Sequence, residues 1–175
     1  NNLFAQTWWA QRAGGITPDE GADISIDAAG NTYTTGYFTG SATFGTLTLN
    51  SSGITDVFLT KTDNLGIFEW SVKAGGIGSD RGHAIKTDAQ GNSYITGYYY
   101  GTATFGTQNI TSLGVQDMFV AKYDNTGTLV WVASAGGSSA DIGNGINIDN
   151  SGNVVITGEF TGTATLTSPT TTLTS

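Results

Sequence analysis

The chain has 175 residues, 26 of them glycine, two proline and none cysteine, with 11% charged residues and a net charge of −8. That length accommodates one domain with a core of its own, and the missing cysteines exclude a disulfide framework. The acidity argues against nucleic acid and anionic membrane surfaces, and no apolar run approaches the roughly 18 residues of a membrane span.

Short alternating apolar and polar runs, broken by Gly, Asn and Asp, predict an all-β chain. The chain opens at Asn1 with no Met and no signal peptide, which is the expectation for a mature protein or a piece of one. Residues 1–8 read as a strand preceding the first full repeat. From there the sequence repeats every 61 residues: Trp9, Trp70 and Trp131, the pairs Gly14-Gly15, Gly75-Gly76 and Gly136-Gly137, and the D-x-x-G-N motifs opened by Asp27, Asp88 and Asp149 all recur at that spacing. Residues 9–69 (repeat 1) and 70–130 (repeat 2) align without a gap at 30 identities in 61, and 131–175 continue the register as a partial repeat 3 within one repeat domain, 1–175. A period this strict means a repeat architecture in which one supersecondary unit stacks on its neighbours.

Within repeat 2 the predicted strands follow in order. Residues 82–88 (GHAIKTD) form the first and 92–100 the second, joined through Ala89-Gln90-Gly91. Residues 102–111 extend or follow the second. Residues 117–124 (DMFVAKYD) and 128–135 (TLVWVASA) are joined by Asn125-Thr126-Gly127. Asp at the start of these turns bonds its own backbone and Gly supplies positive φ. About four antiparallel strands per repeat suit a propeller blade. The Gly-Gly pairs lack a G-x-G-x-x-G pattern and a following helix, so they read as strand-end turns and not as a phosphate cradle.

The pattern W-x3-AGG-x3-D-x-G-x2-I-x2-D-x2-GN-x3-TG, then TATFG, then D-x-F-x2-K-x-D-x2-G, resembles the bacterial SBBP repeat, a family named for a seven-bladed β-propeller. The resemblance covers nearly the whole chain. It implies propeller blades, a bacterial origin, an extracellular or cell-surface location and no defined catalytic residues. The third unit departs from it, with Leu166-Thr167 in place of Phe105-Gly106.

The run Tyr98-Tyr99-Tyr100 raises the question of a ligand platform. Position 99 is aromatic in every copy (Phe38, Tyr99, Phe160) and is expected to be core. Its neighbours on the opposite strand face vary: Tyr37, Tyr98 and Glu159 at one position, Thr39, Tyr100 and Thr161 at the other. Tyr37, Tyr98 and Tyr100 are therefore the candidate ligand-binding residues, weighed against plain interblade packing. Trp70 and Trp131 recur in apolar strands and are expected to be largely buried between blades.

Ten of the fourteen acidic residues occupy recurring positions, as turn and strand-end aspartates would. Asp19, Glu20 and Asp23 form the one local carboxylate cluster. Calcium wants six to eight oxygens, and units two and three lose part of this cluster, so no cofactor is expected and calcium stands as the weak alternative. His83 is the only histidine and aligns with Ala22 and Asn144; with no fixed nucleophile beside it, no catalytic residue is assigned. Lys61 and Lys122 recur in register, to pair with acids or cover apolar surface.

The expectation is a non-enzymatic extracellular module that contacts a surface polymer, a glycan or a partner protein. The alternatives are a self-assembling filament or sheath subunit, and the scaffold or binding domain of a secreted hydrolase. Unpaired edges are expected at both ends of the array, to be completed by further blades of a longer chain or by other copies.

Overall fold

The computed structural model describes residues 9–149, 151–167 and 170–174, and these form strands and turns with no helix among them. In chain order the strands are β1 (Ala13–Gly14), β2 (Glu20–Ile26), β3 (Thr32–Phe38), β4 (Ser41–Phe44), β5 (Leu47–Asn50), β6 (Asp56–Thr62) and β7 (Phe68–Gly76). Then come β8 (Arg81–Thr87), β9 (Ser93–Tyr99), β10 (Thr102–Phe105), β11 (Gln108–Thr111), β12 (Asp117–Tyr123), β13 (Leu129–Gly136), β14 (Ile142–Ile148), β15 (Val154–Glu159), β16 (Thr163–Thr167) and β17 (Thr170–Thr174). Residues 1–8, read from sequence as a leading strand, lie outside the described residues.

Two four-stranded antiparallel blades are complete, β2-β3-β6-β7 and β8-β9-β12-β13, and β14-β15 begins a third. Each is stitched by its turns. Asp27 Oδ1 accepts the backbone N–H groups of Ala29 and Asn31 at 2.9 Å each, and Asn31 Nδ2 donates to Oδ2 at 2.8 Å. Gly30, at φ 84°, supplies the left-handed step. Asp88 and Asp149 repeat this arrangement with Asn92 and Asn153. The first strands β2, β8 and β14 pack side by side, with Ile85 N donating to Asp23 Oδ2 at 2.9 Å across the seam.

Residues 102–111 do not extend the second strand of their own blade. They form the hairpin β10-β11, which pairs with the last strand of the preceding blade: Ala103 opposite Gly76, Thr104 opposite Gly75, Phe105 opposite Ala74. Hairpin β4-β5 does the same to β1, and β16-β17 to β13. Each hairpin thus widens the sheet of the blade before its own, and the six-stranded order β2-β3-β6-β7-β10-β11 results.

This crossing corrects the reading of the Gly-Gly pairs. They are not turns; Gly75 and Gly76 end β7. A Cβ on Gly76 would lie 2.0 Å from the carbonyl oxygen of Thr102, and one on Gly75 would lie 2.8 Å from Asp56 Cγ and from Asp80 Oδ2. The second glycine lets the neighbour's hairpin approach, and the first leaves room for two carboxylates.

The main core fills the seam between the first two blades. Tyr33, Val57, Leu59 and Ala74 from one meet Ile85, Ile95, Phe119, Ala121 and Tyr123 from the other, with Ala103 and Phe105 of the crossing hairpin. β6 and β12 are buried along nearly their whole length, and β12 is sandwiched between the first blade and the start of the third. Trp70 and Trp131 are partly buried. Trp70 sits at the rim of the seam, edge-on to Tyr33 at 6.1 Å, with Nε1 donating to the Asn125 carbonyl at 3.1 Å. A ring that must reach a backbone acceptor near the surface cannot also be enclosed.

The far face of the first blade is different. Phe38, Ala42, Phe44 and Phe58 form a second, smaller cluster there. Thr34, Thr60 and Thr62 stand where the second blade has Ile95, Ala121 and Tyr123. A cavity of about 270 Å³ lies on this face, lined among others by Trp9, Thr34, Phe44, Phe58, Thr60 and Phe68.

Candidate functional site

Strand alternation separates the three tyrosines as expected. Tyr99 is fully buried, with its hydroxyl 2.6 Å from Ser134 Oγ, and burial pushes its pKa up to about 12. Tyr98 and Tyr100 are half-buried on the other face, their rings edge-on at 5.9 Å. Tyr37, at the same register in the first blade, is also half-buried.

What joins these residues is Arg81, the first residue of β8. It pairs in register with Tyr98 on β9, and its guanidinium stacks on the Tyr37 ring of the neighbouring blade with Cζ 4.0 Å from the centroid. At that distance the cation–π contact and planar stacking act together. Tyr37 Oη donates to Glu20 Oε2 at 3.0 Å, and that bond, ahead of burial, raises the Tyr37 pKa. Burial raises the Tyr98 pKa against the pull of Arg81. His83 meets the edge of the Tyr98 ring at 5.2 Å. Arg81 Nε is buried and has no hydrogen-bond partner. The result is a rim of three tyrosines, one arginine and one histidine, built from the ends of β3 and β9 and the start of β8.

The sequence pattern singles out the tyrosines but not Arg81. The available signal was its register: it is one of six Lys and Arg residues in the chain, placed opposite a variable tyrosine. The third repeat carries Ile142, Asn144, Glu159 and Thr161 at these positions, so the rim belongs to the seam of the first two blades.

The carboxylates considered for calcium are each held by separate donors. Asp19 accepts from the backbone of Gly15 and Thr39, Asp23 from Ile24 and Ile85, and Glu20 from Tyr37. Among the described residues no group of three or more His, Cys, Asp or Glu is placed to hold a metal ion. Lys61 pairs with Glu69 at 2.7 Å and lies over Tyr33, and Lys122 lies over Tyr94. At the opposite end of the blades a cavity of about 240 Å³ opens between the turns, lined by Asp27, Tyr33, Lys61, Gln90 and Asn125 among others.

No protein-family model matches the chain. It is similar to an uncharacterised WD repeat-containing protein of Acanthamoeba polyphaga mimivirus, 28% identical over an alignment of 113 residues that covers 54% of this chain and 8% of that relative. The chain therefore spans a small part of the length of the curated relative it matches. The strand order, the 61-residue period and this likeness agree on one architecture, all-β and built of β-propeller repeats.

Proposed function

We propose that this chain is a non-enzymatic binding module of SBBP type, carried on the outside of a bacterial cell, and that it meets a glycan or surface polysaccharide through the rim of Tyr37, Arg81, Tyr98 and Tyr100. The observation that carries this reading is the stacked Arg81, whose buried Nε is without a partner beside two half-buried tyrosines set edge-on to each other. Aromatic faces suit the apolar faces of sugar rings, and a planar guanidinium supplies several fixed donors for hydroxyl or carboxylate groups. The repeat itself does not require these residues, which favours a ligand role over a purely structural one. The test is a glycan array followed by titration calorimetry with the parent protein, the Tyr98→Ala/Tyr100→Ala double variant and Arg81→Lys. Binding that falls at least tenfold in both, at unchanged melting temperature, supports the reading. An array with no hit, or affinity indifferent to all three residues, overturns it.

A second reading rests on a different observation. Ile24 on β2 is 56% exposed, whereas its register mate Ile85 on β8 is 4% exposed beneath the first blade. That exposure supports a first blade that takes a further blade on this face, from elsewhere in a longer chain or from a second copy. Light scattering on the isolated chain tests the second-copy form: a concentration-dependent increase above 18.1 kDa supports it.

A further inference from the structure

Two aspartates from neighbouring repeats come together at each seam, and the two seams neutralise them differently. At the first, Asp56 and Asp80 are both fully buried and both crowd the space over Gly75. Lys73 supplies the counter-charge: its Nζ lies 3.0 Å from Asp56 Oδ2 and 2.5 Å from Ser52 Oγ. At the second, Asp117 and Asp141 occupy the same register and are 1% and 0% exposed. There the basic residue is missing. Ser134 stands in place of Lys73, Leu113 in place of Ser52, and Tyr99 in place of Phe38.

The hydrogen bonding reflects the loss. Asp117 Oδ2 accepts the Leu113 N–H at 3.0 Å, but Oδ1 is buried and has no partner. The Tyr99 hydroxyl lies 2.6 Å from Ser134 Oγ. The groups facing Asp117 are Tyr99 from β9, Ser134 from β13, Asp141 at the entry to β14 and Leu113 from the loop after β11; none is basic. Among the described residues neither Asp117 nor Asp141 forms an ion pair. Two buried carboxylates without a cation, one of them with a bare oxygen, are strongly disfavoured as a double anion.

We propose that the second seam takes up a proton where the first uses Lys73: Asp117 is neutral in the folded protein, and the junction between the second and third blades is more stable in that protonated form. Burial and the charge of Asp141 both favour this state. The sign of the pH effect follows. A carboxyl whose pKa is higher folded than unfolded contributes stability fully present below its unfolded value, near 4, and lost as pH rises through the folded value. The seam of the first two blades differs in its cation, with Lys73 Nζ 3.0 Å from Asp56 Oδ2.

The experiment reads the carboxyl carbon of Asp117 by ¹³C NMR on the wild-type protein, assigned through its own backbone, across pH 3 to 9 in chelator-containing buffer. Titration clearly above the ordinary aspartate range is expected. In parallel, melting temperature is followed against pH for the wild type, for Asp117→Asn and for the variant Tyr99→Phe/Leu113→Ser/Ser134→Lys, which rebuilds the first seam in the second. The wild type is expected to lose several degrees relative to both variants as pH rises through the Asp117 titration. An Asp117 carbon that titrates at or below the ordinary value overturns the proposal. So does a calcium, sodium or potassium addition that raises the wild-type melting temperature and leaves Asp117→Asn unmoved, because the seam then holds a metal cation.

Discussion

Asp80 and Gly76 meet across the seam between the first two blades: the fully buried carboxylate accepts the Gly76 N–H at 2.6 Å through Oδ2, while Oδ1 takes the Tyr100 N–H at 2.8 Å. One side chain therefore fixes the end of β7 to the end of β9. Asp19 and Asp141 do the same with Gly15 and Thr39, and with Gly137 and Thr161. Burial raises the Asp80 pKa, so desolvation offsets part of what the two bonds contribute. Asp80→Ala leaves two amides without their acceptor and is expected to cost about 3–5 kcal/mol in urea unfolding. Asp19→Ala, at a half-buried site, is expected to cost less.

The crossing hairpin gives a paired test. Gly76→Ala drives a methyl group into the Thr102 carbonyl, and backbone cannot give way as a flexible side chain can. Gly101→Ala meets nothing within 4 Å and suffers only the penalty of φ +61°, about 1–2 kcal/mol. The first is expected to lower the unfolding midpoint clearly more than the second. Equal effects would mean that the β7–β10 pairing contributes little.

Acid sensitivity follows from the repeated turns. In Asp88 burial opposes ionisation, yet the bonds from Asn92, Gln90 and Tyr94 outweigh it and lower the pKa; Asp27 behaves likewise. Groups lowered on folding contribute stability present above their unfolded value, near 4, and lost as pH falls through the folded value. The wild type is therefore expected to lose stability below about pH 4, and Asp27→Asn/Asp88→Asn to show a flatter acid limb by circular dichroism.

Tyr99 and its neighbours are expected to separate cleanly. Tyr99→Ala opens a cavity in a fully packed seam and is expected to cost about 3–5 kcal/mol. Tyr98→Ala and Tyr100→Ala, at half-buried positions, are expected to cost no more than about 1.5 kcal/mol each. Chemical denaturation of the three single variants decides it.

Trp70→Ala removes a half-buried ring, its bond to the Asn125 carbonyl and its edge contact with Tyr33. The expected loss is about 3 kcal/mol, the low end for a tryptophan truncation.

The period, the four-stranded unit and the Asp-Gly turns were legible because each rests on residues a few positions apart: Asp88, Gly91 and Asn92 define their own hairpin wherever the blade sits. The destination of residues 102–111 was not legible. TATFG states that a strand forms, but not that its partner is Gly75-Gly76 at the end of the preceding blade, since either pairing satisfies the same alternation. The same blindness hid the Gly-Gly pair's purpose and the rim position of Trp70, both fixed by a neighbour 26 to 55 residues away in sequence. Of the rim, alternation alone placed Tyr98 and Tyr100 opposite Tyr99. Arg81 stacks on a residue of another blade, and one strand's pattern holds no trace of that.

The hairpin that crosses backwards sets a timetable for synthesis. Strand β7 ends at Gly76, but its outer partners are complete only at Thr111, 35 residues later. A chain emerging from the ribosome therefore carries a bare edge on its newest blade until roughly half of the next repeat has been translated. Domains that fold as they emerge usually do so unit by unit. Here the unit of co-translational folding is offset from the unit of sequence, and every repeat is finished by the one that follows it.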